Sequence, residues 1–257
     1  MLFCVEMHTD AGIKKKTNQD SICVKEAQTD KGNILLAIVC DGMGGLEKGE
    51  VASATIINAF SAWFEERLPY LLSKNNVIDE IIYCWERMIK EQNQNIAEYG
   101  RQNHIQLGST ITAMLFLEDG NYLVGHVGDS RAYKITDRSV EILTQDQTLI
   151  AREMKMGRLT PEDAERDPRR NVLLQCIGAS KIVEPDFITG KYKSEECYML
   201  CSDGFRHVVS ADEIQKAFSP SRNDDEKIMK ENIVHLIELN KERQETDNIS
   251  SILIKII

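Results

Sequence analysis

The chain is 257 residues long, with 42% hydrophobic and 28% charged residues, which suits a sizeable core beneath an ordinary soluble surface. Its formal net charge of −10 argues against a groove for nucleic acid, because such a groove needs an excess of Lys and Arg. The surplus of carboxylates suits a protein that binds divalent cations, although solubility is the commoner reason for an acidic composition.

The cysteines and the apolar segments bear on the cellular compartment. The seven cysteines show no C-x-x-C spacing, and Cys40, Cys197 and Cys201 lie in apolar runs, where a free cysteine acts as a small buried hydrophobe. The first residues lack the charged-then-apolar order of a signal peptide, and no apolar run is long enough to cross a bilayer. We therefore expect no disulfides, no zinc site, no membrane contact and a cytoplasmic location.

Short apolar runs predict strands, and longer stretches with helical spacing predict helices. In chain order, the predicted strands are 21–25, 34–40, 109–117, 122–127, 131–135, 197–201 and 248–257, and the predicted helices are 50–68, 77–99 and 224–239. Because neither a repeat nor a Pro/Gly/Ser-rich linker divides the sequence, we expect one domain over residues 1–257.

The connections between these elements indicate the fold class. Strands 109–117 and 122–127 are joined by Glu-Asp-Gly-Asn, which predicts a hairpin and antiparallel pairing. The first two helices follow one another directly, as an αα-hairpin covering a sheet does, so we expect an α+β layered domain. The segment from about 152 to 170 is polar and rich in charge; we interpret it as a surface flap, although a plain long connection has the same pattern.

Five aspartates stand at the ends of predicted strands. Three follow strands and two precede them; in chain order they are Asp20, Asp41, Asp129, Asp203 and Asp247. A single Asp-Gly after a strand is most often a turn. If all five meet, however, their mutual repulsion must be offset by cations.

The ligand types indicate which cations and which chemistry. Oxygen ligands without a His or Cys partner favour Mg²⁺ or Mn²⁺ over zinc, and a water held between two such ions is a ready nucleophile for phosphorus. The glycines of the turn 41–45 let backbone carbonyls approach a ligand closely. This turn has neither the G-x-G-x-x-G order nor the Walker lysine, so we reject nucleotide binding.

With these residues in view, the sequence resembles the protein phosphatase 2C family, its bacterial branch in particular. The similarity is carried, in the family's order, by GIKKKTNQDS (12–21), CDGMGG (40–45), GEVAS (49–53), GSTITAML (108–115), VGDSRAY (127–133), LTQDQ (143–147), NVLLQCIG (171–178), CSDGF (201–205) and TDNIS (246–250). One such motif alone is a weak signal, whereas the complete ordered set is very specific.

The resemblance implies a fold, an activity and a site. The fold is a four-layer α-β-β-α sandwich, two antiparallel sheets between helix pairs, in a single catalytic domain. The activity is metal-dependent hydrolysis of phosphoserine and phosphothreonine by a water that bridges two ions and attacks phosphorus directly. By resemblance, Asp41 bridges both metals, the Gly42 carbonyl holds the first, Asp203 and Asp247 hold the second, and Asp20 lies at or beside the site. Asp129, with Asp203, matches a third, weaker metal site.

Three positions depart from the family pattern. The phosphate-binding Arg of the opening motif falls on Lys15, and a His proposed as general acid in animal members falls on Met43. Leu46 stands where bacterial members often carry a His. The proton for the leaving group must then come from metal-bound water or another group. His126, inside a strand, is expected to be a packed core residue, and His207 an exposed loop residue.

Three functions are compatible with these residues. The leading hypothesis is an active Mn²⁺- or Mg²⁺-dependent phosphatase that acts on phosphorylated proteins in bacterial signalling and opposes a serine/threonine kinase. The second is a catalytically weak module of the same fold that binds phosphoproteins, and the third is a phosphatase for small phosphate esters. Since every metal position is filled, the sequence favours an active enzyme.

Overall fold

The computed structural model describes residues 2–30, 32–43 and 48–257, apart from the side chain of Glu165. The strands of these residues are β1 (Phe3–Asp10), β2 (Ser21–Thr29), β3 (Gly32–Cys40), β4 (Ile111–Phe116), β5 (Asn121–Val127), β6 (Arg131–Ile135), β7 (Val140–Ile142), β8 (Asp186–Lys191), β9 (Cys197–Cys201) and β10 (Ile249–Ile256). The α-helices are α1 (Gly49–Glu66), α2 (Leu68–Leu71), α3 (Val77–Asn103), α4 (Leu149–Lys155), α5 (Pro161–Arg166), α6 (Asp203–Arg206), α7 (Ala211–Phe218) and α8 (Glu226–Glu242).

The strands form two antiparallel sheets. The first has the order β1-β10-β9-β6-β7 and the second the order β2-β3-β4-β5-β8. In the second sheet Ser21 pairs with Cys40 and Ile111 with Val127, so the start of one strand lies beside the end of its neighbour. Strand ends that are far apart in the chain therefore come together at the same end of the sheet.

Three apolar layers hold the sheets and helices together. Between the second sheet and α1–α3, Trp85 packs edge-on against Phe60 and Trp63 with ring centroids 5.3 and 5.5 Å apart. Between the two sheets Phe116 packs edge-on against Tyr198 at 5.1 Å. Beneath α7 and α8, Phe205 stacks on Phe218. The order helix, sheet, sheet, helix confirms the predicted four-layer α+β sandwich.

The central strand β3 shows how the sequence produces these layers. Its alternate residues Ile34, Leu36 and Ile38 face the helices, whereas the residues between them face the other sheet. Because both faces are covered, the strand is a continuous apolar run with no exposed polar position. Replacing a side chain here, such as Leu36→Ala, should cost about 2–5 kcal/mol of folding free energy.

The structure extends or corrects several predicted elements. The predicted hairpin is confirmed as the antiparallel pair β4–β5. The predicted helix 50–68 corresponds to α1 and the first residue of α2, the helix 77–99 to α3, and the helix 224–239 to α8. The sequence analysis predicted no element at β1, β7, β8, α4, α5, α6 or α7. β8 is an edge strand of half-exposed residues without an apolar run, and β7 has 3 residues, so neither gives a strong periodic signal.

The predicted flap at about 152–170 carries α4, which begins earlier, at Leu149, and α5. The side chains of Thr148 and Thr160 cap these helices by accepting hydrogen bonds from the backbone N–H of Ala151 and Asp163. Most of the remaining side chains are exposed, as expected for a surface segment. No helix of the described residues is both long and apolar enough to cross a membrane.

Candidate metal centre and active site

Five strand ends from both sheets meet at one end of the sandwich. Asp20 precedes β2, Asp41 follows β3, and Asp129 lies two residues after β5; Asp203 follows β9 and Asp247 precedes β10. Two hydrogen bonds join the sheets here: Ser250 Oγ donates to Asp20 Oδ2 at 2.6 Å, and Gln19 N donates to Asn248 Oδ1 at 2.9 Å. The condition set by the sequence, that the strand ends meet, is satisfied.

A cavity of about 290 Å³ opens between these strand ends. Its lining combines four of the predicted carboxylates with Lys15; the lining residues are Lys15, Asp41, Met43, Thr110, Asp129, Asn171, Leu173, Asp203 and Asp247. A larger cavity, of about 650 Å³, lies at the end of α3, but its lining in the described part of the chain contains no Asp or Glu. The smaller cavity is therefore the candidate site.

The turn after β3 holds Asp41 and Gly42 in place. Asp41 N donates to Thr110 Oγ1 at 3.0 Å, and Thr110 N donates back to Asp41 O at 2.9 Å. A Cβ on Gly42 would lie 2.4 Å from Gln19 O and 2.5 Å from Gly49 O, closer than real Cβ atoms come to backbone. Only glycine fits at this close approach of backbones, whereas Gly42 itself is not among the residues that line the cavity.

Asp20 lies behind the cavity wall. It is 8% exposed, and its Oδ1 has no hydrogen-bond partner within the described residues. Burial raises its pKa to about 7, and the charges of Asp203 and Asp247 add to the rise, against hydrogen bonds from Ser250 and Ser202. The folded protein thus disfavours a charge here unless a cation compensates it.

Asp203 and Asp247 come from the other sheet. Asp203 is the first residue of α6 and is 9% exposed, and its Oδ1 also lacks a hydrogen-bond partner within the described ranges. Asp247 accepts a hydrogen bond from Asn248 N at 2.8 Å and forms an ion pair with Lys15 Nζ at 3.0 Å. Lys15 therefore reaches the cavity, whereas its neighbours Lys14 and Lys16 are exposed.

Asp129 enters the cavity from the tight turn after β5. Gly128 has φ +113°, and a Cβ there would lie 2.5 Å from Thr110 Cγ2, so this turn also requires glycine. Asp129 is 7% exposed; burial and the charge of Asp203 raise its pKa to about 7, against the opposing effect of Arg206.

The electrostatics of the cavity fit divalent cations. The pKa of Asp41 is raised well above its usual value, first by burial and then by the charges of Asp20, Asp203 and Asp129. Within the described residues no three or more His, Cys, Asp and Glu side chains already form a ligand set, so ion binding would have to draw the oxygens together. Among the described residues, Asp20 and Asp203 have buried oxygens without a hydrogen-bond partner, and the cavity lining contains no His or Cys. This donor set suits hard cations such as Mg²⁺ and Mn²⁺.

The residues that depart from the family pattern have distinct places. Met43 lines the cavity, and its N–H donates to Gly108 O at 3.1 Å. The prediction for Leu46, and the glycines 44 and 45 of the central motif, lie outside the described residues. His126 is fully buried, with ring nitrogens 3.0 Å from Thr112 Oγ1 and 3.2 Å from Gln145 O, so its interpretation as a core residue is confirmed.

The interpretation of His207 as an exposed loop residue is wrong. Its side chain is 21% exposed and lies 3.4 Å from Asp203 Oδ2 and 3.2 Å from Glu245 Oε2. These two carboxylates flank it because α6 and the turn before β10 lie side by side. It does not line the cavity.

Other residues at the site were given no role by the sequence analysis. Thr110 and Asn171 line the cavity, and Asp146 and Arg206 form ion pairs beside Asp129. Three of them lie within quoted motifs, GSTITAML, LTQDQ and NVLLQCIG, which is the only signal that could have identified them. Arg206 directly follows CSDGF and carries no such signal.

Comparisons with known proteins identify the family of this chain. The sequence model of the protein phosphatase 2C family matches residues 9–238. The chain belongs to the protein phosphatase 2C family. It is 30% identical over 225 residues to the serine/threonine phosphatase stp of Listeria monocytogenes, an alignment that covers 86% of this chain and 85% of that one.

Solved structures of this family share the fold. The S. agalactiae serine/threonine phosphatase matches with a TM-score of 0.86 at 28% identity and covers 100% of both chains. The catalytic domain of the serine/threonine phosphatase PstP, in complex with 2 manganese ions, matches with a TM-score of 0.79 at 26% identity over 99% of this chain and 98% of that one. The predicted family and fold are confirmed, and this family of phosphatases depends on metal ions.

Proposed function

We propose that this phosphatase hydrolyses phosphoserine and phosphothreonine in other proteins with the help of two Mn²⁺ or Mg²⁺ ions. The observation that carries the proposal is the convergence of Asp41, Asp129, Asp203 and Asp247 with Lys15 on one cavity of about 290 Å³. A lysine among carboxylates gives a place for a phosphate next to a place for cations.

The residues divide into those that hold ions and those that hold substrate. Asp41 and the Gly42 carbonyl, with Asp203 and Asp247, would hold the two ions, and Asp20 would support them from behind the wall. Asp129 with Asp203 would hold a third, weaker ion. Bound ions supply an activated water for in-line attack on phosphorus and neutralise the charge that develops on the phosphate.

The chain's own groups complete the reaction. Lys15 would leave Asp247 and bind a phosphate oxygen, which orients the phosphorus toward the ions. The attacking water forms the new P–O bond as the P–O bond to serine or threonine breaks, giving free phosphate and the hydroxyl side chain. Met43 has no proton to donate, so water in the cavity would protonate the departing oxygen.

The wider setting belongs to the same proposal. We place the enzyme in the cytoplasm of a bacterium, as a single catalytic domain whose substrates are proteins phosphorylated by an opposing serine/threonine kinase. The support is the resemblance to bacterial serine/threonine phosphatases across 86% of the chain and the acidic composition, which disfavours nucleic-acid partners.

Metal dependence is the direct test. Turnover of a phosphothreonine peptide and of a small aryl phosphate should require Mn²⁺ or Mg²⁺, stop in excess EDTA and return when metal is restored. Undiminished turnover in excess EDTA would disprove the two-metal proposal. Peptide binding without turnover of either substrate would indicate a phosphoprotein-binding module, and faster turnover of small metabolite esters than of peptides would indicate a different substrate class.

A further inference from the structure

Arg206 places a buried positive charge at one side of the acidic cavity. Its side chain is 12% exposed. Its Nη2 donates to Asp129 O at 2.9 Å and to Asp146 Oδ2 at 3.3 Å, and the same nitrogen lies 3.8 Å from Asp129 Oδ2. The guanidinium therefore lies between two carboxylates, one of which lines the candidate site.

A second arginine already compensates one of those carboxylates. Arg131 Nε and Nη2 each donate to an oxygen of Asp146 at 2.7 Å, the bidentate geometry that matches a guanidinium to a carboxylate. The charge of Asp146 is thus matched by Arg131. Arg206 adds a second positive charge that both carboxylates share, and the four side chains in their charged forms sum to zero.

Burial makes this charge matching necessary. An ion that is removed from water is stable only when it is paired, and Asp129 is 7% exposed. Arg206 Nε has no hydrogen-bond partner among the described residues, so its guanidinium is held through Nη2. Within the described residues its hydrogen bonds and ion pairs go to Asp129 and Asp146, and the charges of the two carboxylates add to the hydrogen bond with the Asp129 carbonyl.

We infer that Arg206 is a resident cation that neutralises Asp129 and competes with the weak third divalent ion for it. The inference rests on the proposed function, since the third ion is part of that proposal. The arginine and the ion would balance the same carboxylate, so binding of one disfavours the other. Among the described residues Arg206 forms no hydrogen bond or ion pair with Asp41, Asp203 or Asp247, so the two main ions should be affected less than the third.

The test is direct binding of Mn²⁺ to the metal-free full chain, followed by calorimetry and by metal analysis after dialysis. Arg206→Gln should tighten the weakest Mn²⁺ step by about tenfold or more, the scale on which groups around ligating carboxylates alter metal affinity. The same variant should melt at a lower temperature than the wild type in EDTA. Arg222→Gln, which removes an arginine far from the cavity, is the matched control for both readouts and should change neither.

A double variant separates charge compensation from simple structural support. Asp129→Asn should cancel both effects of Arg206→Gln, because the carboxylate that needed a cation is gone. Arg206→Lys, which keeps the charge, should resemble the wild type in metal binding. Arg206→Lys can also be measured if Arg206→Gln fails to fold without metal.

Each contrary outcome has a defined meaning. An unchanged weak Mn²⁺ step, or a melting defect that persists in the double variant, would overturn the inference and leave Arg206 as a partner of Asp146 alone. A raised KM for phosphopeptide with unaltered metal binding would overturn it in favour of phosphate binding by Arg206. If the wild type itself binds no Mn²⁺ tightly at the two main sites, the proposed function is refuted instead.

Discussion

A positively charged side chain lies at each of two sides of the cavity, and the two side chains are held differently. Lys15 pairs with Asp247 through one contact of 3.0 Å between side chains that are 29% and 35% exposed. The side chains of Arg206 and Asp129 are 12% and 9% exposed, and they belong to a network with Asp146 and Arg131. A solvent-accessible pair contributes about 0–1 kcal/mol, whereas breaking a buried pair is costly because a charge is left uncompensated. The exposed side is suited to exchange partners with a substrate, and the buried side is suited to stay in place.

The largest effect should come from Asp41, which lies at the centre of the acidic site. Asp41→Asn should reduce turnover of an aryl phosphate by at least about 10³-fold, as losses of directly acting groups do. Its melting temperature in EDTA should hold or rise, because burial and the charges of Asp20, Asp203 and Asp129 all disfavour the ionised carboxyl.

A matched control exists at the other end of the same sheet. Asp30 follows β2 in a turn, is exposed, and lies away from the site, so Asp30→Asn should leave turnover unchanged. Asp247→Asn should lose turnover as Asp41→Asn does. If either site variant retains most of its activity, that aspartate has been misassigned as a ligand.

Lys15→Ala tests whether the exposed cation binds substrate. It should weaken phosphopeptide binding by about 1.5–3 kcal/mol, the usual scale for a hydrogen bond to a charged group, and this is measured as a rise in KM. Lys15→Arg should match or exceed the wild type, because a guanidinium can grip two phosphate oxygens at once.

The neighbouring lysines provide the comparison for this variant. Lys14 and Lys16 are exposed, so Lys14→Ala and Lys16→Ala should leave KM unchanged. Equal effects from all three alanine variants, or none from any, would mean that the metals alone hold the phosphate.

Asp129→Ala tests the buried side and should have a smaller effect. Two ions should remain bound, and turnover should fall a few-fold, mainly at limiting Mn²⁺, because the weak third ion is the one affected. The measurement is a full Mn²⁺ titration of turnover beside the wild type. Identical titration curves would remove any role for a third ion at this position.

The smallest effect on the chemistry should follow from trimming the flap. Residues 157–168, which include α5, would be replaced by a short Gly/Ser turn, while Leu149 is kept because its N–H donates to Val172 O beside the cavity. Phosphopeptide turnover should change, and turnover of a small aryl phosphate should stay nearly constant, since surface segments commonly carry recognition. Equal losses on both substrates would show that the flap supports the fold or the ions.

Strong local patterns were sufficient to predict much of the fold. The apolar run of β3 and the helical spacing of α1 and α3 predicted elements close to those observed, and the turn between β4 and β5 predicted the hairpin. The half-exposed edge strand β8 gave no comparable pattern and was missed. The short helix α7 was also missed, although its Ser210 and Glu213 form a capping box, a helix-start signal that the sequence carries. An edge strand that is half-exposed to solvent needs few apolar residues, because backbone hydrogen bonds rather than side chains pair it with the sheet. It therefore lacks the apolar pattern by which strands are predicted.

The candidate site divides in the same way. The sequence by itself determined the aspartates, because each stands at a recognisable strand end inside a family motif. Only the tertiary structure decided the charge partners: Lys15 meets Asp247, and Arg206 meets Asp129 and Asp146 across 77 and 60 residues of chain. Local sequence sets where a strand ends, whereas the partner of a buried charge depends on which distant segments fold against it, and that is settled only when the two sheets pack together.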